Sequence, residues 1–208
     1  MRVAREGWPF IAMAWTAVIV FLVAGWWPIA LVVAIVACWV VAFFRDPVRD
    51  GPRGDSLVIA PADGLVVSIV PIDEPSVVGG ATHRVAIFMN VFNVHVNRYP
   101  ASGTIVFRKY QPGVFGHAGR EKASLENEHS DVGLSTAHGK MLVRQIAGSI
   151  ARRIVTDHAV GTAVRQGDRM GLIRFGSRVD IFLPLGATIR VKEGDRTLAG
   201  STVIAEWK

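Results

Sequence analysis

The fold is decided by one stretch of the sequence, Met170-Gly-Leu-Ile-Arg-Phe-Gly-Ser-Arg-Val-Asp-Ile-Phe-Leu-Pro184. It contains two apolar runs of the kind that form β-strands, and a single small pair, Gly176-Ser177, separates them. A Gly-Ser pair between two strands is most often a tight turn. Glycine also reaches backbone angles that other residues avoid, so the pair can instead hold the Gly176 carbonyl in a strained geometry beside the Ser177 hydroxyl.

Short β-branched runs recur before and after this stretch, with turn-forming residues between them. This pattern predicts a mainly β domain, an antiparallel sandwich or barrel-like structure. The predicted strands cover residues 57–60, 64–71, 83–89, 103–110, 132–137, 140–146, 152–155, 170–175, 179–183, 188–192 and 202–207. Residues 115–127 are less apolar, and we expect a short helix or a loop there.

The N-terminal part of the chain is almost without charge. Two uncharged runs, residues 8–24 and 27–44, are each at the short end of the length that spans a bilayer. Gly25-Trp-Trp-Pro28 predicts a turn with aromatic residues at the level of the lipid headgroups. Because arginines precede the first run and follow the second, we predict a membrane helical hairpin over residues 1–47 with both ends in the cytoplasm. The alternatives are two buried core helices or a re-entrant pair that never fully spans the bilayer.

Composition and charge narrow the function classes of the remaining domain, residues 48–208. The chain has 208 residues and a formal net charge of +6, most of it beyond residue 50, which suits an anionic lipid surface. No Lys/Arg cluster with interleaved aromatic residues is found, so nucleic acid is not a predicted partner. The single cysteine, Cys38, excludes an intrachain disulfide. The histidines are not spaced like zinc ligands, so we predict no metal.

Two further motifs carry groups suited to acid–base chemistry. Asp63 lies in Pro61-Ala-Asp-Gly64, which taken alone is most simply a β-turn, although a carboxylate there can also orient a histidine. His95 lies in Val91-Phe-Asn-Val-His-Val-Asn-Arg-Tyr-Pro100, where the alternation of apolar and polar residues also fits an ordinary half-buried strand. The tunable pKa of histidine suits proton transfer near neutral pH.

Together these motifs resemble the phosphatidylserine decarboxylases in their short bacterial and archaeal form. The matching segments are residues 43–47, 61–64, 88–100, 145–154 and 167–184, and they follow the family's order. In the fourth segment, the small residues of Ala147-Gly148 also permit simple close packing. The resemblance implies a proenzyme that cuts itself between Gly176 and Ser177 into a β subunit, residues 1–176, and an α subunit, residues 177–208, which form a heterodimer.

The resemblance also implies a chemistry. Ser177 Oγ attacks the Gly176 carbonyl, the peptide becomes an ester, and elimination followed by hydrolysis leaves a pyruvoyl group on the α subunit. This covalent ketone cofactor forms a Schiff base with phosphatidylserine in the membrane and accepts the electrons released with carbon dioxide, so that phosphatidylethanolamine is formed. Asp63 matches the relay aspartate and His95 the catalytic histidine. Arg152, Arg153 and Arg178 are the suggested contacts to the anionic headgroup.

The chain departs from the longer family members at two places. They carry a second histidine, which serves as the relay in self-cleavage, where this chain has Arg98. We expect His95 to serve both steps, with another base in self-cleavage as the alternative. The longer members have Leu-Gly-Ser-Thr at the cut, whereas Phe175-Gly-Ser-Arg178 here leaves Arg178 available for a phosphate contact.

Three other functions are open on the sequence. A pyruvoyl decarboxylase of a soluble amino acid would use the same chemistry, but it would need no membrane hairpin. A membrane-anchored hydrolase would use Asp63, His95 and Ser177 in an uncut chain, but no Gly-x-Ser-x-Gly motif surrounds Ser177. A membrane-anchored β domain that binds a partner is the third. The oligomeric state, including a homo-oligomer, is not predicted.

Overall fold

The computed structural model describes residues 2–207 with the exception of 115, 117, 119–122, 149–152 and 175 and of the side chain of residue 125. Contacts between residues divide the chain into two units, Met1–Val48 and Arg49–Lys208.

The first unit is a pair of helices that pack on each other. A single-turn 3₁₀ helix, Arg5–Gly7, precedes α1, Trp8–Val23, and α2 spans Trp27–Phe43. Both α-helices carry proline in the first turn, where its missing N–H leaves no helical hydrogen bond unmade. Gly25, with a φ of 77°, makes the turn between them. A short antiparallel pair, β1 (Arg2–Val3) and β2 (Arg45–Asp46), joins the two ends of the unit.

Both helices are apolar on all sides. Val23 is 85% exposed and Trp27 is 70% exposed, whereas Ala30 and Ala37 of α2 are buried. These two alanines are two turns apart on one side of the helix, where small residues permit close helix–helix contact. The helical segment Arg5–Val23 is long and apolar enough to cross a membrane, and α2 is a shorter apolar helix.

The second unit is built mainly of antiparallel strands, which confirms the predicted fold class. One helical turn, α3 (Ala123–Glu126), lies in the segment expected to be a short helix or a loop. The strands are β3 (Leu57–Ile59), β4 (Gly64–Glu74), β5 (Gly80–Met89), β6 (Val96–Arg98), β7 (Gly103–Gln111), β8 (His129–Thr136), β9 (Gly139–Ala147), β10 (Ile154–Thr156), β11 (Ala163–Val164), β12 (Arg169–Ile173), β13 (Ser177–Pro184), β14 (Thr188–Ile189), β15 (Arg196–Thr197) and β16 (Val203–Glu206).

Eight strands form a central sheet in the order β11-β7-β8-β9-β13-β5-β4-β15. Two smaller sheets, β10-β12-β6 and β14-β16-β3, contribute to the same hydrophobic core. Alternate residues of one strand, such as Val85, Ile87 and Met89 of β5, face this core together with Tyr99 and Ile204. One face of the central sheet therefore packs toward the two small sheets.

The connection between β12 and β13 is not a tight turn between paired strands. β12 pairs with β10 and β6 in a small sheet, whereas β13 lies in the middle of the central sheet between β9 and β5. Gly176 is thus the last residue of a segment that passes from one sheet to another. The pair Gly176-Ser177 therefore lies at the start of a central strand and not at the tip of a hairpin.

Candidate active site

Ser177 begins β13 and pairs with Met89 of β5 and with Ala147 of β9. It is completely buried, and within the described residues its Oγ has no hydrogen-bond partner. Leaving a buried hydroxyl unsatisfied costs about 1–3 kcal/mol, and such groups in native proteins need an explanation. No side chain in the described ranges holds the hydroxyl, which leaves it available for reaction with the backbone beside it.

The residue before it, Gly176, has a φ of 54°. This is the left-handed region, which glycine adopts without the penalty that a Cβ would bring. A Cβ built on Gly148 would lie 2.1 Å from the Gly176 carbonyl oxygen and 3.0 Å from its carbon. The oxygen of the bond predicted to be cut therefore projects directly at the backbone of Gly148, where only glycine leaves room for it.

The side chain of Ser177 faces the interior core, because its partners Met89 and Ala147 belong to that core. A chain of amide hydrogen bonds lies on the same side. Asn97 Nδ2 donates to Met89 Sδ over 3.7 Å, and Gln145 Nε2 donates to Asn97 Oδ1 over 2.8 Å. Both amide side chains are completely buried. This network ties β5, β9 and β6 together next to Ser177.

His95 is completely buried just before β6. Its Nδ1 lies 3.1 Å from the Asn93 carbonyl oxygen. A carbonyl can only accept, so this hydrogen bond places the proton on Nδ1 and makes Nε2 the basic nitrogen of the neutral ring. The His95 carbonyl accepts a hydrogen bond from Ile173 N at 3.3 Å, at the end of β12. His95 is thus linked through its backbone to β12, whose last residue precedes Ser177 by four positions in the sequence.

Asp63 is buried in a different set of contacts. Its Oδ2 accepts a hydrogen bond from Arg49 Nη2 at 2.6 Å, and its Oδ1 accepts one from Ala199 N at 2.8 Å. Across the described part of the chain, neither oxygen is hydrogen-bonded to His95. Pro61 accepts a hydrogen bond from Arg98 N at 2.9 Å, which places the Asp63 loop at the Arg98 end of β6. The relay predicted between Asp63 and His95 is therefore not assembled by a direct hydrogen bond.

The three predicted headgroup arginines are found in different settings. Arg178 is completely buried and faces away from the side of the sheet to which Ser177 points, since consecutive strand residues alternate. Its Nε and Nη2 donate to the two Asp180 oxygens at 2.5 and 2.9 Å. Arg153 is exposed just before β10. Arg152 lies outside the described residues.

Arg178 belongs to a group of buried charges on that opposite face. Arg84 Nε lies 3.9 Å from Asp180 Oδ2, and burial lowers the pKa of Arg84 although the charge of Asp180 opposes this. Arg144 donates to both oxygens of Asp131 at 2.7 and 2.9 Å. Burial acts to lower the pKa of Arg144, but the hydrogen bonds and charge of Asp131 outweigh it and the pKa is raised.

A cavity of about 220 Å³ lies at the same end of the central sheet as Ser177, because Phe88 and Asn90 in its wall flank Met89, the strand partner of Ser177. It is lined by Gly64, Leu65, Phe88, Asn90, Asn93 and Arg196. Among the residues that the structure describes, no group of three or more His, Cys, Asp or Glu is arranged to hold a metal ion.

Two features of this site were not predicted from the sequence. The first is Asn97. His95, Asn97 and Tyr99 are alternate residues of one segment, so they share a face, and this spacing was a signal that the Asn97 side-chain amide points inward. Gly148 was placed in a matching segment, with close packing as its simplest explanation. The structure shows that the group packed against it is the Gly176 carbonyl.

Comparison with known proteins assigns the chain to a class. The family model described as phosphatidylserine decarboxylase matches residues 36–205, and the chain belongs to this family of decarboxylases, which are lyases. Similar proteins carry a more specific name. A protein of Symbiobacterium thermophilum is 46% identical over 97% of this chain and 94% of its own length. Relatives from Aromatoleum aromaticum and Geotalea daltonii are 45% and 43% identical, over 98% and 97% of this chain and 94% and 95% of their own lengths. Each is a phosphatidylserine decarboxylase proenzyme. The family predicted from the motifs is confirmed.

Proposed function

We propose that this chain is a pyruvoyl-dependent phosphatidylserine decarboxylase that activates itself by serinolysis at Gly176-Ser177 and then forms phosphatidylethanolamine in phospholipid biosynthesis. The observation that carries the proposal is the buried Ser177 hydroxyl, which has no hydrogen-bond partner in the described part of the chain and directly follows a left-handed glycine. Membership of the family supports the choice of substrate, since the relatives are named for it.

The residues at the cut fit the formation of a pyruvoyl group from Ser177. The Oγ atom adds to the Gly176 carbonyl carbon, its proton goes to a base, and the peptide nitrogen is expelled as the new ester forms. Loss of the Ser177 Cα proton then breaks the ester, so that Gly176 leaves as the C-terminal carboxylate of the β subunit. Water hydrolyses the remaining dehydroalanine end with release of ammonia, which leaves the ketone on the α subunit.

In the decarboxylation step, the pyruvoyl group supplies an electron sink for the electron pair that carbon dioxide leaves behind. We assign to His95 the delivery of a proton to the substrate carbon, from Nε2 after this nitrogen has taken up a proton, because the residue is completely buried and its backbone carbonyl is hydrogen-bonded to Ile173 at the end of β12. The apolar side chains of Met89 and Ala147 exclude water around Ser177 and favour loss of the charged carboxylate. The amides of Asn97 and Gln145 hold Met89 and β6 in place.

We further propose where the lipid is held. The apolar helices of residues 1–47 keep the domain of residues 48–208 at the cytoplasmic face of the cell membrane, where its positive charge suits anionic lipid. The exposed Arg153 is the proposed contact to the headgroup phosphate, with Arg152 next to it in the sequence. Arg196, in the wall of the cavity beside Phe88, adds a positive charge at the same end of the sheet.

Intact-mass measurement of the purified protein tests the proposal. We expect two polypeptides, residues 1–176 and 177–208, with the second one lighter than its serine-ended form by one ammonia and blocked to N-terminal sequencing. Ser177→Ala should leave one chain of 22.5 kDa. Ser68→Ala, which removes another buried hydroxyl of the central sheet, should be cut normally. An active preparation that consists of one unbroken chain with an ordinary serine at position 177 would overturn the proposal.

The role of Asp63 has a separate test. If Asp63 is the relay in self-cleavage, Asp63→Asn should slow the cut more than Arg49→Met does, because both changes break the same ion pair but only the first removes the carboxylate. Equal slowing in the two variants would show that the pair only supports the loop. The rate of fragment appearance on denaturing gels is the measurement.

A further inference from the structure

We propose that Arg178 is a positioning residue that anchors the end of the α subunit on which the pyruvoyl group is formed. The inference rests on the proposed self-cleavage, but it does not depend on the identity of the substrate. The geometry that points to it is the completely buried, two-pronged ion pair between Arg178 and Asp180, immediately after the bond to be cut.

The pair lies on the face of β13 that is opposite to the Ser177 side chain, since Arg178 and Asp180 are two residues apart and Ser177 alternates with them. Arg178 is flanked by Phe88 of β5 and Ile146 of β9, which are its strand partners. The central sheet thus separates the ion pair from the reacting group by the thickness of one backbone. Whatever holds Arg178 in place also fixes the direction in which residue 177 points.

The cluster also joins the two subunits. Asp180 lies 3.9 Å from Arg84, which belongs to the β subunit, while Arg178 and Asp180 belong to the α subunit. This contact is made by side chains and is independent of the Gly176-Ser177 peptide. It therefore persists when that peptide is gone.

Self-cleavage creates the need for such an anchor. Before the cut, Gly176 ties the first residue of β13 to the chain on its other side. After the cut, residue 177 is a chain terminus, and termini fray unless they are tied down. Among the residues that the structure describes, the Ser177 side chain has no hydrogen-bond partner that could hold it. Backbone pairing with β5 and β9 remains, and the buried side-chain contacts of Arg178, the next residue along the strand, add the restraint that the lost peptide had provided.

A purely stabilising role is a weaker explanation of this pair. Moving two charges out of water costs several kcal/mol each, and apolar side chains of similar volume often serve a protein interior equally well. A guanidinium that donates to both oxygens of one carboxylate instead restricts the orientation of the side chain and of the backbone that carries it, because its planar donors require one geometry. A reactive group at a free chain end needs such a fixed orientation toward its substrate.

The decisive experiment compares Arg178→Met in the cut enzyme and in an uncut chain that also carries Ser177→Ala. Methionine keeps most of the buried volume, and Asp180 retains Arg84 as a neighbouring cation. Hydrogen exchange of the amides of residues 178–180 is measured by mass spectrometry of fragments. We expect exchange to be about tenfold faster in the cut form and unchanged in the uncut form, because only a free strand end can open locally.

Steady-state kinetics provide the second readout. A misplaced reactive carbon should lower kcat about tenfold to a hundredfold with KM nearly unchanged. Arg178→Lys, which keeps the charge but loses the two-pronged geometry, should fall between the wild type and Arg178→Met. Arg190→Met is the matched control, since Arg190 is an exposed arginine of the same subunit in an ion pair with Glu206. It should change neither exchange nor kcat.

Each other outcome has a definite meaning. Equally faster exchange in the cut and uncut forms would overturn the anchor and show a general structural role. A rise in KM alone would overturn it in favour of the phosphate contact that the sequence suggested for Arg178. Unchanged kinetics and exchange would overturn it outright. Failure of the proposed function shows separately, as a wild-type chain that is never cut. If Arg178→Met does not fold, the double variant with Asp180→Leu, which leaves no carboxylate without its cation, repeats the comparison.

Discussion

Replacing Gly148 by alanine should slow self-cleavage about a hundredfold while the protein stays folded. The new Cβ would lie 2.1 Å from the Gly176 carbonyl oxygen, 0.9 Å less than the 3.0 Å that real Cβ atoms keep. The next neighbour, the Ala118 Cβ, lies 3.3 Å from the new Cβ, so the strain falls mainly on the Gly176 backbone. A displacement of about 1 Å from a reactive geometry costs about 10²-fold in rate, equivalent to about 2.7 kcal/mol in the activation barrier.

Cell-free synthesis followed by denaturing gels measures the rate, because the uncut chain can be observed from the moment it is made. Gly186→Ala is the control: nothing lies within 4 Å of its would-be Cβ. Thermal unfolding of both variants is compared in the Ser177→Ala background, where no cut complicates the transition. Cleavage of Gly148→Ala as fast as that of Gly186→Ala would refute the reasoning. So would a Gly148→Ala chain that is slow only because it is unfolded.

Three further outcomes follow from the contacts described. Asp131→Asn leaves Arg144 without its buried carboxylate and should lower the free energy of unfolding in urea by about 3 kcal/mol, whereas exposed Asp73→Asn should change it by less than about 0.5 kcal/mol. Burial raises the pKa of Tyr99 to about 12 from 10.0, so its contribution to stability is complete below pH 10 and is lost as the pH rises through 12. Tyr99→Phe should therefore lose stability less steeply across that interval, as followed by urea midpoints. Val20→Arg puts a charge on the exposed surface of α1 at a cost of about 3 kcal/mol in a bilayer, and it should reduce the fraction of protein that resists carbonate extraction from membranes.

The class of fold and the family could be predicted because both depend on local patterns. Alternating runs and turn residues gave the mainly β domain, and short motifs in a fixed order gave the family. Strand pairing could not be predicted, since it joins residues far apart in the chain. Nothing local indicates that β12 and β13 belong to different sheets. For the same reason the half-buried strand that the alternation around His95 suggested, which is β6, could not be assigned its partner β12.

In the candidate site, too, local features could be predicted, whereas contacts between distant parts of the chain could not. Ser177 and Gly176 were found from their local chemistry, and their catalytic roles stay predictions. The approach of Gly148 to the Gly176 carbonyl depends on the register of β9 with β13, which the sequence does not display. Arg178 next to a reactive serine suggested a ligand contact. The signal for its buried pairing was present in Asp180, because opposite charges two residues apart share one face of a strand.

The place of β13 between β9 and β5 would make the unfolding of a cut enzyme hard to reverse. Both neighbouring strands precede the proposed cut. The smaller product would therefore contribute one central strand to a sheet whose other strands come almost entirely from the larger product. In the uncut chain, β13 inserts between β9 and β5 as an intramolecular folding step. After cleavage and denaturation, the two fragments would have to associate by diffusion, and this association would compete with aggregation. A denatured mature enzyme should therefore regain activity poorly, and only at high concentration.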